Sequence, residues 1–339
     1  MKVLVATDAW APQVNGVVRT LGELQRRAPQ AALTLEFVTP GDFRTIAMPG
    51  YPEIRLSLNA GPGIARRMQV FAPDAVHIAT EGPIGLGARK LCLGRRIPFT
   101  TSYHTRFPEY LRARLPVPEA ATYRWLRWFH NAGCGIMTAT PSLDADLAAR
   151  GFGPLMRWSR GVDTELFRPR SQSVLDLPRP IFLNVGRVAV EKNLEAFLSL
   201  DLPGSKVVVG EGPALESLRK AYPDTHFLGP RSGPALAEVY ASADVFVFPS
   251  RTDTFGLVLI EALASGLPVA AYPVMGPKDV ITDPAVGCLG EDLRKAALDA
   301  LDLRHEACRA FAERYSWDAS VAQFAANMHS AVHRHTAAA

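Results

Sequence analysis

The chain has 339 residues, 48% of them hydrophobic and 21% charged. This composition excludes a disordered, collagen-like or low-complexity architecture, and at roughly 100–200 residues per domain the length predicts two domains. A net charge of +4 conceals a split: residues 1–170 carry 22 Lys and Arg against 13 Asp and Glu, residues 171–339 carry 15 against 20. Such asymmetry points to contact with nucleic acid or a membrane surface.

In chain order, Lys2–Thr7 predicts a first core strand rather than a signal peptide, and Val17–Arg27 a helix. Strands are expected at Leu33–Thr39, Ala75–Ile78, Phe99–Tyr103 and Ile136–Ala139, with helices at Ile84–Arg95 and Leu143–Arg150. The pattern then restarts. Strands are expected at Ile181–Val185, Lys206–Val209, Thr225–Leu228, Val245–Phe248 and Val269–Ala271, with helices at Asn193–Leu200, Ala214–Tyr222, Pro234–Ala241 and Gly256–Ser265. Strands alternating with helices predict parallel sheets covered on both faces, here two α/β domains. Arg168–Pro180, rich in Pro and Ser, reads as the linker. The expected domains are therefore 1–168 and 169–316, with a final helix, 317–335, packing back on the first domain. No apolar run reaches the ~18 residues a membrane span needs, so membrane contact would be peripheral. Cys92, Cys134, Cys288 and Cys308 form no C-x-x-C pair, which supports neither a metal ribbon nor a disulfide scaffold and fits a reducing compartment.

Several strand-to-helix turns carry chemistry. Thr254-Phe-Gly opens the helix after Val245–Phe248, and a helix N-terminus suits a diphosphate. Asp253 stands before that helix. Glu261 sits within it among Leu259, Ile260, Ala262 and Leu263 and needs partners. Each carboxylate has two readings: ligand contact, or an N-cap (Asp253) and a core ion or amide pair (Glu261). Arg187 and Lys192 flank another turn and could hold phosphates or be simply solvated. Gly210-Glu-Gly is a weak G-x-G that lacks the third glycine and acidic residue of a nicotinamide site. Asn15-Gly16 is a turn whose backbone can approach a ligand, and His104 lies just past a strand's carboxyl end. No metal-ligand cluster is visible.

Taken together, Asn15-Gly16-Val17, Tyr103-His-Thr, Arg160-Gly-Val-Asp163, Gly186-Arg187 with Glu191-Lys192, Gly210-Glu-Gly-Pro213 and Asp253 to Glu261 resemble the retaining, nucleotide-sugar-dependent glycosyltransferases of family 4. Thr80–Gly85 and Phe248–Phe255 narrow the likeness to the branch of glycolipid synthases and GDP-mannose-dependent mannosyltransferases. The resemblance implies the GT-B fold, two Rossmann-like α/β/α domains facing across a cleft, with acceptor on the first and nucleotide sugar on the second. It implies that Glu261 holds the donor ribose and Asp253 a sugar hydroxyl. Arg187 and Lys192 would neutralise the leaving diphosphate, with backbone amides of Phe255, Gly256 and Leu257 beside them. Gly16 would approach the donor phosphate, and His104 would orient the sugar. No cofactor or metal is implied, because the nucleotide sugar is a substrate. Two departures stand out: Asp253 where the family usually has Glu, and Arg106 where close relatives often have Asp. A cation there would favour an anionic donor sugar or face the acceptor.

Arg112, Arg114, Arg124 and Arg127 mix with Tyr123, Trp125 and Trp128, which suits either an anionic bilayer interface or a core helix with a solvated face; no nucleic-acid motif accompanies them. The expected activity is transfer of a hexose or hexuronic acid, with a UDP-sugar favoured, to diacylglycerol at the cytoplasmic membrane face. The alternatives are GDP-mannose-dependent transfer to a lipid or polyprenol-linked acceptor, and a nucleotide-sugar epimerase. The sequence is silent on oligomeric state.

Overall fold

The computed structural model describes residues 1–48, 51–112 and 118–338. The chain forms two units, residues 1–160 with 317–339 and residues 161–316.

In the first unit the strands are β1 (Lys2–Ala6), β2 (Thr34–Val38), β3 (Thr45–Met48), β4 (Tyr51–Ser57), β5 (Ala75–Ile78), β6 (Phe99–Ser102), β7 (Ile136–Thr138) and β8 (Leu155–Arg157). Six of them form a parallel sheet in the order β2-β1-β5-β6-β7-β8, and β3 and β4 make a separate antiparallel hairpin. Val5 of β1 pairs with Phe37 on one side and His77 on the other. β1 and β5 are almost wholly buried, as a parallel sheet with both faces covered requires.

The second unit contains β9 (Ile181–Val185), β10 (Ser205–Val209), β11 (His226–Phe227), β12 (Val245–Phe248), β13 (Val269–Ala271) and β14 (Gly287–Leu289). All six are parallel, in the order β11-β10-β9-β12-β13-β14. In both sheets the first strand sits inside, with the strand order reversing beside it. Open α/β sheets bind ligands beyond the carboxyl ends of the strands at such a reversal. The relevant strand ends are those of β1 and β5 in the first unit and of β9 and β12 in the second.

Two sequence expectations change and a third holds. The first unit ends at Arg160, not residue 168, because the intervening segment packs with the second: Val162 N donates to Tyr315 O at 3.0 Å and the Phe167 ring meets Tyr240 edge-on. The helix expected at Asn193–Leu200 is broken into a 3₁₀ turn, Val190–Lys192, and one short helix, Glu195–Leu198, because Asn193 adopts φ 54°. The C-terminal helix, Trp317–Ala338, packs on the first unit as expected, where fully buried Phe324 sits between Trp158 and His77.

Candidate active site

The second unit's site begins where β9 runs into Gly186-Arg187. This turn is laced to its neighbours through backbone bonds: Gly186 N to Val209 O, Val188 N to Glu211 O and Gly210 N to Gly229 O, all 2.8–3.0 Å. The fit is tight enough that a Cβ on Gly210 (φ +142°) would lie 1.8 Å from Gly186 O. That close approach explains the glycine better than dinucleotide binding does.

Past Arg187, the broken helix brings Lys192 toward the segment after β12. Lys192 Nζ donates to Asp253 Oδ1 at 2.5 Å. Asn193 Nδ2 donates to Pro249 O at 3.1 Å, and Thr252 Oγ1 to Glu191 O at 3.3 Å. The two strand ends at the reversal are thus tied together, with the Lys192–Asp253 pair among them. Asp253 Oδ2 and Ser250 Oγ are buried without a hydrogen-bond partner among the described residues.

The helix after β12 spans Leu257–Ala264, with Gly256 at its N-cap in a left-handed conformation (φ 86°). Asp253 is therefore not the N-cap; its partner is Lys192. Phe255 and Gly256 precede the helix and Leu257 begins it, so all three lie at its N-terminus. Glu261 is 3% exposed, and the hydroxyl of fully buried Tyr240 donates to its Oε2 at 3.2 Å. Tyr240 gave no local signal in the sequence, since it lies on a different helix, Gly233–Ser242.

In the first unit, Asn15 N-caps the helix Gly16–Arg27: its Oδ1 accepts from Val17 N and Val18 N at 3.0 Å. Gly16 is thus the first, exposed residue of that helix. Asp8, past β1, reaches the other helix at the reversal, Pro83–Arg95. Its carboxylate accepts from Ile84 N at 2.9 Å, Gly85 N at 3.3 Å and Thr80 Oγ1 at 2.9 Å. Burial raises its pKa against those hydrogen bonds. Sequence reasoning gave Asp8 no role.

His104 follows β6, and its Nδ1 lies 3.1 Å from Nη2 of Arg160. Desolvation first, and then the Arg160 cation, hold the imidazole well below its usual pKa, so it is neutral at physiological pH. Arg106 has an ionic partner within the first unit. Its Nε donates to Glu109 Oε1 at 2.8 Å, and Tyr123 OH donates to the same oxygen at 2.8 Å. Tyr123 is buried, with the Arg150 guanidinium 4.0 Å over its ring, which corrects its assignment to a membrane face.

Trp125 is half-buried and stacks on Phe129. Arg124, Arg127 and Trp128 are exposed on the same helix, Glu119–His130. Arg112 ends the short helix Phe107–Arg112, and Arg114 lies outside the described residues. Among the described residues no group of three His, Cys, Asp or Glu could hold a metal ion, and no helix is long and apolar enough to cross a membrane.

Two α/β units, each with a reversed parallel sheet, define a two-domain Rossmann-like architecture, and comparison with known proteins agrees. The chain superposes on sucrose-phosphate synthase from Thermosynechococcus elongatus with a TM-score of 0.79 at 20% identity, covering 100% of this chain and 99% of that one; the fold is GT-B. Residues 14–166 match the family described as Glycosyltransferase Family 4, and residues 179–303 match Glycosyl transferases group 1. The chain is 31% identical to the sulfoquinovosyl transferase SQD2 of Arabidopsis thaliana over 85% of its own length, spanning 62% of the plant protein. It is 31% identical to the GDP-mannose-dependent alpha-mannosyltransferase of Mycobacterium tuberculosis (strain CDC 1551 / Oshkosh), covering 85% of this chain and 83% of that one. It is 26% identical to the alpha-monoglucosyldiacylglycerol synthase of Streptococcus pneumoniae (strain ATCC BAA-255 / R6), covering 89% and 78%. The chain belongs to glycosyltransferase family 4.

Proposed function

We propose that this glycosyltransferase retains the anomeric configuration, needs no metal ion, and moves a hexose from a nucleotide sugar to a diacylglycerol-type lipid at the cytoplasmic face of a membrane. The observation that carries this reading is the gathering of Arg187, Lys192 and Asp253 at the sheet reversal, beside a helix N-terminus. Cleaving a sugar–phosphate bond puts charge on the departing diphosphate. Arg187, Lys192 and the amides of Phe255, Gly256 and Leu257 would stabilise it, as preorganised donors stabilise charge that develops in a transition state. The two cations do the electrostatic work a metal ion does elsewhere. Glu261 would hold the ribose, Asp253 a sugar hydroxyl, and Gly16 and His104 the donor from the first unit. The acceptor would attack on the face the leaving group departs from, with the phosphate helping to take its proton, so no protein nucleophile is assigned.

Arg106 is neutralised by Glu109, so the case for a hexuronic acid weakens and a neutral hexose is preferred. A UDP-sugar is the favoured donor, and the diacylglycerol named in the streptococcal relative supports the acceptor. Exposed Arg124, Arg127 and Trp128, with Lys90, Arg95 and Arg96 exposed on or just beyond the neighbouring helix Pro83–Arg95, would meet an anionic bilayer. GDP-mannose-dependent transfer is the second reading, favoured by the mycobacterial relative, of which the chain covers 83%.

The test offers purified enzyme a panel of UDP-, GDP- and ADP-sugars, with diacylglycerol vesicles and with water alone, and reads product mass. A hexosyl-diacylglycerol made from a UDP-sugar is expected. Product from GDP-mannose alone would establish the second reading, and donor turnover without any acceptor would sink both. Lys192→Ala and Glu261→Gln should each lose most of the activity, by roughly a hundredfold or more, while circular dichroism shows intact folding.

A further inference from the structure

Arg160 is a buried cation that the transfer chemistry leaves unused. It is 6% exposed, and burial pulls its pKa down to about 9, which still leaves it protonated at neutral pH. Among the described residues none of its partners is a carboxylate. Nη1 donates to the carbonyls of Trp158 at 2.6 Å and Ser159 at 3.1 Å, the guanidinium lies 4.6 Å over the Trp158 ring, and Nη2 faces His104 Nδ1 at 3.1 Å. A buried charge without a counter-ion is costly, and holding a loop shut would not require one.

The group it addresses explains the cost. Arginine donates hydrogen bonds and accepts none. An imidazole nitrogen 3.1 Å from a guanidinium N–H must therefore be the acceptor, and the ring's single proton must sit on the other nitrogen. We infer that Arg160 is a positioning residue that fixes His104 as the neutral Nε2–H tautomer, so that His104 presents a hydrogen-bond donor to the sugar. An Nδ1–H tautomer would present a lone pair there instead, or a rotated ring. This inference rests on the reading that His104 faces the donor sugar.

The support of Arg160 is itself built. Gln323 Oε1 accepts from Ser159 N at 2.6 Å, Ser320 Oγ donates to Ser159 O at 2.7 Å, and Asn327 Nδ2 donates to Arg157 O at 2.8 Å. The C-terminal helix thus grips the backbone on which Arg160 stands. The His104 ring also leans on Trp158, with centroids 5.9 Å apart.

The test is two-bond ¹H–¹⁵N correlation spectroscopy on the full chain carrying ¹⁵N-histidine, with His104→Ala deleting one of the eight ring patterns to assign it. The wild-type ring of His104 should show a protonated Nε2 and an unprotonated, hydrogen-bonded Nδ1. Arg160→Met, which keeps an apolar stem over Trp158, should release the ring into a mixture of tautomers. It should also lower kcat about tenfold, with the donor KM changed less than about threefold. A wild-type ring protonated at Nδ1, or an unchanged tautomer in folded Arg160→Met, would overturn the inference. Should Arg160→Met fail to fold, Arg160→Lys, whose point charge keeps the carbonyl contacts without the fork, takes its place, and the wild-type spectrum still decides. Full activity in His104→Ala, with the tautomer found as expected, would instead refute the contact between His104 and the sugar.

Discussion

The two oxygens of Asp253 lead different lives: Oδ1 holds Lys192 at 2.5 Å, while Oδ2 is buried with no hydrogen-bond partner among the described residues. In the proposed reaction the carboxylate competes with the donor diphosphate for Lys192, and its second oxygen waits for a hydroxyl. Asp253→Asn removes the competing charge and keeps the shape. It should bind UDP several-fold tighter by calorimetric titration while turning over more slowly; weaker UDP binding would refute the competition. The shorter side chain, a departure from the family's usual Glu, is placed here to meet Lys192. The sequence showed both residues as candidates, yet their pairing depends on the positive φ at Asn193, which no helical periodicity reveals. A second residue-scale prediction concerns His77, wholly buried between Thr100 Oγ1 at 2.8 Å and Ser102 Oγ at 3.0 Å. Burial, and next the Arg160 charge, lower its pKa to about 3. The unfolded chain, with an ordinary pKa of about 6.5, therefore binds the proton that the folded chain refuses. Stability is complete above that value and is lost as pH falls from about 6.5 toward 3, by about 2 kcal/mol from this residue at pH 5. Urea titrations of the wild type and a folded His77→Gln at pH 7 and pH 5 measure the difference; equal losses in both would refute it.

At the scale of the element, legibility followed burial. β1, β5, β9, β12 and β13 are short apolar runs buried on both faces, and each was readable to within a residue. The elements that escaped notice are those whose reason lies elsewhere in the chain. β8 and β14 have three residues each and form only because a sheet edge is there to receive them. The helix Ala60–Phe71 begins Ala-Gly-Pro-Gly, a sequence with poor helix propensity, and is held by burial of Ala60, Ile64 and Met68. The β3–β4 hairpin alternates too weakly to stand out. At the site, strand ends and the helix after β12 exposed Arg187, Lys192, His104, Asp253 and Glu261 as candidates, whereas the partners of Glu261 and His104, Tyr240 and Arg160, come from distant segments. The terminal helix and the unit it packs on were both foreseen. Phe324→Ala there should cost about 3–5 kcal/mol by chemical denaturation, because it opens a cavity between Trp158 and His77. A loss below 1 kcal/mol would show that the helix docks loosely.

For the whole molecule, moving the boundary to the observed units leaves the charge split unchanged. The first unit carries 21 Lys and Arg against 12 Asp and Glu, the second 16 against 21. The asymmetry is therefore a property of the folded units and does not depend on where the sequence is cut. Under the membrane proposal, binding to anionic vesicles should fall steeply between 50 and 500 mM salt, values spanning roughly a threefold change in screening length. Arg124→Glu with Arg127→Glu should weaken it, and salt-insensitive partitioning would count against electrostatic docking.

The first unit is also discontinuous in the chain, and that ordering has a consequence for biosynthesis. The ribosome makes residues 1–160, then the entire second unit, and only then Ser320, Gln323 and Asn327, which clasp the backbone beside Arg160. Vectorial synthesis therefore delivers a nascent chain whose basic unit stays unfinished until the helix Trp317–Ala338 has been made, and the backbone beside Arg160 goes unclasped until then.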